Sequence, residues 1–137
     1  MGFENFHRLA DRRLTGKPLN SETDVMAAVQ ARLPSGVLSF IQSLGVTQDE
    51  IASLIIKQEE PQQAERLTVD QSDRVVRVLR LIADASDVFG DRAKAFVWLR
   101  RPLRELNDQS PLAAAETDAG ARVVQTILAQ IAWGAAA

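Results

Sequence analysis

The run from Thr68 to Gly90 constrains this chain more than any other stretch. Thr68-Val69-Asp70-Gln71 reads as a capping box, a threonine that caps the amide three residues on while the glutamine side chain reaches back. From there Val75, Val76, Val78, Leu79, Leu81 and Ile82 place apolar side chains around much of a helix that reaches about Phe89, where Gly90 supplies a C-cap. A helix apolar over so wide an arc must lie in the middle of its fold and be touched on several sides. Arg74, Arg77 and Asp84 are expected to keep one edge wet.

The rest of the chain is punctuated the same way, so the expected fold class is all-α. Phe3, Phe6 and Leu9 recur at helical spacing in a first weak segment that Gly16 and Pro18 end. Arg12, Arg13 and Lys17 follow in that segment, and two readings stand: an arm packing its phenylalanines on the body, which is favoured, or a mobile basic arm. Asn20 or Ser21 can cap a helix over Val25, Met26, Ala28, Val29 and Leu33 that Pro34 stops. A short helix over Val37–Ile41 ends near Gly45. Thr47 and Glu50 form a further capping box, opening a helix with Ile51, Leu54 and Ile55 inward and small Ala52 at a crossing. Residues 57–67 are polar, with Pro61 in the middle.

In the last third, Asp91 to Arg101 reads as a helix with Ala95, Phe96 and Leu99 inward, Trp98 in the core and Pro102 as the stop. Leu103 and Leu106 pin the next loop, and Asn107 suits a left-handed turn. Ser110-Pro111 is an N-cap followed by proline at the first helical position, and that helix ends near Glu116. Thr117 or Asp118 opens a final helix on which Val123, Val124, Ile127, Leu128 and Ile131 form one stripe, before Gly134 and three alanines.

Catalytic signals are close to absent, and a non-enzymatic protein without cofactor is expected. His7 is the single histidine and there is no cysteine, so the usual transition-metal ligand sets are missing. No phosphate-binding glycine loop occurs. The carboxylates read as caps or polar faces, which leaves a small helical enzyme as a remote alternative. A net charge of −2 argues against a strongly basic nucleic-acid binder. No apolar run reaches the roughly 20 residues of a membrane span, and no secretory signal opens the chain, so a cytoplasmic protein is expected.

Leu44 to Ala52 opens like the first half of a helix-turn-helix. A recognition helix should follow, and the candidate DNA contacts are Lys57, Gln58, Gln62, Gln63 and Arg66. Yet residues 47–66 carry five acidic and two basic side chains, which repels phosphate. The basic set Arg74, Arg77, Arg80, Arg100, Arg101 and Arg104 reads either as a face solvated beside its own carboxylates or as a dock for an acidic partner. Trp133, a large aromatic beside the chain end, is the strongest interaction signal; the plain alternative is that it folds back on the core.

The succession Trp98-Leu99-x-x-Pro102, Leu106-Asn107, Ser110-Pro111-Leu112, Gly120-x-x-Val123-Val124 and Trp133-Gly134, together with Leu67 to Arg80, resembles the Xre/MbcA/ParS-type antitoxins of bacterial toxin–antitoxin pairs. The resemblance implies an arm over residues 1–34, an Xre-like helix-turn-helix region over 35–80 and a toxin-binding domain over 81–137. It implies a cognate toxin of the RES NAD-degrading or ADP-ribosyltransferase kind, covered by Arg101, Trp133, Gly134, Ala135, Ala136 and Ala137. It also implies operator DNA as a second partner, hence a transcriptional regulator as the alternative function, and a homodimer or toxin–antitoxin hetero-oligomer. Two departures stand out: the recognition-helix region is short, acidic and proline-broken, and Asn107 occupies a position where the family commonly has glycine.

Overall fold

The computed structural model describes residues 3–57 and 65–134. Among these, α1 (Phe3–Ala10), α2 (Glu22–Gln30), α3 (Val37–Leu44) and α4 (Gln48–Ile51) precede the long α5 (Val69–Phe89), and α6 (Arg92–Leu99), α7 (Pro111–Ala114) and α8 (Asp118–Gly134) follow it. The described chain contains no strand, only isolated backbone bridges at Pro34–Arg66 and Leu103–Gln109. None of its helices is long and apolar enough to cross a membrane.

Helix α5 is the axis. Val75, Leu79, Leu81, Ile82 and Ala85 are wholly inaccessible to solvent. Around them pack α1, α2, α6, α8 and the turn after α4. Burial of one such aliphatic side chain contributes about 1.5–3 kcal/mol, so this helix supplies a large part of the core. The wide apolar arc is therefore covered from within the chain. The boundary drawn at 80/81 falls inside α5, so both segments share one helix.

Local chemistry accounts for the ends of the elements. Both capping boxes form: Thr47 with Glu50, and Thr68 with Gln71. Ser21, Asp91 and Ser110 cap α2, α6 and α7 through their side-chain oxygens. Gly45 and Gly90 turn the chain at positive φ, and Asn107 does so at φ 56 with Asp108 beside it. The helix opened by Thr47 remains α-helical only to Ile51, then widens into a π-helical turn over Ala52–Ile56.

Several expectations need correction. Helix α2 stops at Gln30, not at Pro34. Arg32 turns at φ 68, which sends buried Leu33 into the core, where its N–H donates to Ser72 Oγ (2.9 Å) and its carbonyl accepts from Leu67 N (2.8 Å). Asp84 is not wet; it is 4% exposed and accepts a hydrogen bond from Asn5 Nδ2 at 3.3 Å, because α1 lies over it. Arg74 is half-buried and donates to the Ile55 carbonyl. For the first segment the favoured reading, an arm packed on the body, is the one adopted: Phe6 is fully buried and the His7 ring lies 2.6 Å from the Leu19 carbonyl oxygen. Helix α6 ends at Leu99 and α7 at Ala114, each a residue or two short of expectation. Val123 points outward from the α8 stripe, leaving Val124, Ile127 and Leu128 buried.

Two contacts set how the later helices sit. Glu50 accepts two hydrogen bonds from Arg100, both 2.9 Å, and Arg100 also reaches the Gly45 carbonyl at 2.8 Å. One carboxylate thus closes the α4 cap and ties α4 to α6. At the α7–α8 crossing, a Cβ added to Gly120 would lie 1.8 Å from the Ala114 carbonyl oxygen, so only glycine permits that approach.

Gly120→Ala should therefore lower unfolding stability by about 3 kcal/mol, whereas Gly134→Ala, with open space at the Cβ position, should change it by less than about 1 kcal/mol; chemical denaturation of both variants checks this. Arg100 holds the Glu50 carboxyl below the usual glutamate range, with the Thr47 amide assisting. Since the folded value is depressed, the stability it provides is complete above the unfolded glutamate pKa and vanishes as pH falls through the folded one. Denaturation midpoints should thus separate Glu50→Gln from the parent at pH 7 and converge at pH 3.

Candidate functional site

Helix α8 opens on Thr117, whose Oγ1 accepts from Gly120 N at 2.9 Å, with Asp118 and Arg122 paired at 2.8 Å one turn on. Its inner face, Ala121, Val124, Ile127 and Leu128, is buried on α5 and α7. Val123, Thr126, Gln130 and Trp133 recur every three or four residues on the outer face, and all four are exposed.

The last turn of α8 runs beyond the body. Ile131 is half-buried, and Ala132, Trp133 and Gly134 are exposed. Trp133 is 79% exposed and has no ring, cation or hydrogen-bond partner among the described residues. Trp98 shows the contrast: it is 8% exposed, with its ring 5.4 Å from that of Phe89. The plain reading of Trp133, a fold back onto its own core, is thus not what the chain adopts. An indole left in water at a helix end represents hydrophobic area available to a partner. The last turn also carries no charged side chain, so nothing there would have to be desolvated as an ion on docking.

Of the remaining residues expected to meet a partner, Gly134 is exposed, and Ala135, Ala136 and Ala137 lie outside the described residues. Arg101 is exposed just past α6; its amide donates to the Trp98 carbonyl (3.0 Å) and its guanidinium has no partner among the described residues. No contact joins Arg101 to Trp133.

Of the DNA-directed set, Lys57 and Arg66 are among the described residues. Gln58, Gln62 and Gln63 lie outside the described residues. Lys57 is half-buried and pairs with Glu116 at 3.6 Å, and Arg66 donates to the Arg32 carbonyl at 2.7 Å. Both cations are engaged within the chain. The next described helix after the capped α4 is α5, whose first turns are tied into the core by Gln71 and Ser72.

The arginines divide. Arg77 pairs with Asp73; Arg80 forms a double hydrogen bond with Glu22 and lies 5.0 Å over the Phe6 ring; Arg100 is held by Glu50 over Phe96. For these the reading as a face neutralised by its own carboxylates is correct. A groove of about 710 Å³ between α2, α5 and α8 carries Glu22–Arg80, Asp73–Arg77 and Asp118–Arg122 along its walls. With each cation matched, it holds no poised acid, base or nucleophile. Among the described residues no group of three or more histidine, cysteine or carboxylate side chains converges on a metal position. Sequence reasoning missed exposed Val97, which shares an outer face of α6 with Ala93. The i, i+4 spacing was the available signal.

Residues 84–134 match the family model for the antitoxin Xre/MbcA/ParS C-terminal toxin-binding domain. The chain is similar to a protein named Antitoxin Xre from Pseudomonas putida, 35% identical over 89 residues, which is 65% of this chain and 56% of the relative. It is likewise similar to proteins of the same name from Photorhabdus laumondii, 36% identical over 70 residues, and Yersinia enterocolitica, 34% over 70 residues; each alignment covers 50% of this chain and 47% of the relative. The chain spans about half the length of the curated relatives it matches.

The two indoles provide a direct check. Iodide should quench a red-shifted emission component that Trp133→Phe removes, and leave the blue-shifted component that Trp98→Phe removes. Equal protection of both indoles in the isolated chain would contradict the exposure of the α8 terminus.

Proposed function

We propose that the chain, whose residues 84–134 match the toxin-binding domain of the Xre/MbcA/ParS antitoxins, neutralises a cognate toxin by direct binding. The working end is the last turn of α8 with the tail behind it, Trp133 to Ala137. The toxin is of the RES NAD-degrading or ADP-ribosyltransferase kind, and the tail enters and covers its active-site cleft. One observation carries this reading: within the matched domain, Trp133 stands in solvent at the end of a helix whose other face is locked into the core.

Physical chemistry supports that role. Tryptophan is enriched among interface hot spots, where truncation costs about 2 kcal/mol or more, on the order of thirtyfold in affinity. Gly134 and the alanines are slim enough to follow it into a cleft. The helix behind them is anchored by Val124, Ile127 and Leu128, so little ordering cost remains for the anchor itself.

A repressor role on operator DNA draws less support. Lys57 and Arg66 are already bonded within the chain, and α5 is committed to the core. A complex with toxin needs neither.

Trp133→Ala should weaken toxin binding by roughly thirtyfold with little shift of the thermal midpoint, because the residue is 79% exposed in the free chain. Deletion from Trp133 onward should abolish rescue of growth when the toxin is co-expressed. Full rescue by the deleted chain would sink the assignment of the working end.

A further inference from the structure

The outward face of α6 holds a feature that the fold does not use. Arg92 and Lys94 stand in its first turn, the positive end of the helix, with no acidic residue in that turn. Cations there oppose the helix dipole and cost stability. Asp91 caps Lys94 N at 2.7 Å, and Glu50 is taken by Arg100. The side chains of Arg92, Lys94 and Arg101 have no partner among the described residues, and all three are exposed. Val97, 62% exposed, lies one turn after Lys94 on the same helix and lines a notch together with Arg92.

Beside Val97 lies an open notch of about 570 Å³, with Leu44, Gly45 and Phe96 at its base and Arg92 and Arg100 on its rim. The notch is built rather than incidental. Gly45 has φ 124, and a Cβ there would approach the Phe96 ring to 3.1 Å. Arg100 lies flat over the same ring at 4.6 Å, fixed by both Glu50 oxygens. The rim is therefore rigid; Leu44 and Phe96 are buried beneath it, and Val97 is the apolar side chain of the notch that stands in solvent.

We propose that this face is a second docking surface of the toxin-binding domain, and that it receives an acidic segment of the toxin carrying one apolar side chain. The apolar group seats in the notch against Val97, beside the Arg100 guanidinium that covers Phe96, and flanking carboxylates meet Arg92 and Arg101. The inference rests on the antitoxin reading above. Charge complementarity selects the occupant: unmatched cations surround an apolar centre in a chain of net charge −2. Duplex DNA fits less well, because phosphates have no use for the notch and Asp91 and Glu50 repel them.

The test uses the full chain and the toxin encoded at the same locus. Affinity is measured by calorimetry at low and high salt for the parent, Arg92→Glu/Arg101→Glu, Val97→Glu and Trp133→Ala. All positions are exposed, and matching circular dichroism and thermal midpoints establish that the variants fold. The double charge reversal should weaken binding on the order of tenfold at low salt, with the gap closing at high salt. Val97→Glu should weaken it at both salts. Parental affinity in both α6 variants overturns the proposal, even while Trp133→Ala still fails to bind. An α6 effect with no Trp133 effect upholds it and removes the C-terminal anchor instead. Absence of any binding by the parent chain removes both readings. If charge reversal alters only retention of duplex DNA, or only self-association, with toxin affinity unchanged, the face serves that other partner and the proposal fails.

Discussion

Helix α5 has to be dry on nearly every side, and the remainder of the molecule answers that demand. A 21-residue helix with five wholly inaccessible aliphatic and alanine positions, and buried Gln71, Ser72 and Asp84 besides, exists only if other elements enclose it. Helices α1, α2, α6 and α8 do so. The polar groups drawn in with it are satisfied locally: Gln71 closes a capping box, Ser72 accepts from Leu33, and Asp84 accepts from Asn5. These bonds contribute less than the apolar burial, but leaving any of them unmade would cost about 1–3 kcal/mol.

That enclosure determines what is left outside. The Glu50–Arg100 pair orients α6 so that Phe96, Trp98 and Leu99 turn inward and Val97 outward. The Gly120 contact lets α8 pass close to α7, and the inner stripe then reaches only to Leu128, with Ile131 at its edge. The helix outlasts its support by about one turn. Trp133 falls in that unsupported turn, so its exposure follows from the length of α8 relative to the body it packs on.

Much of the fold was legible because its signals act over three or four residues. The two capping boxes, Ser110-Pro111, Asn107 and the glycines at 45 and 90 each fix their own turn whatever surrounds them. Others were not legible. Asp84 looks like a solvated position on a helical wheel, and only α1, 79 residues away from it at Asn5, makes it buried. The stop of α2 before Pro34 depends on where Leu67 and Ser72 wait for Leu33. The arginines illustrate the same limit: Arg80 and Arg100 find carboxylates 58 and 50 residues distant, and no spacing rule reaches so far.

The sequence by itself determined the helices, most of their ends, the central place of α5 and the antitoxin family that the C-terminal part resembles. Periodicity and capping are properties of a few adjacent residues and survive without a partner element. Only the tertiary structure decided which of two tryptophans is core and which is surface, which arginines are neutralised and which stand free, and that Val97 and Val123 face water. Those outcomes depend on which elements lie against each face, and a helix's own sequence is compatible with more than one such neighbourhood until the whole core is assembled.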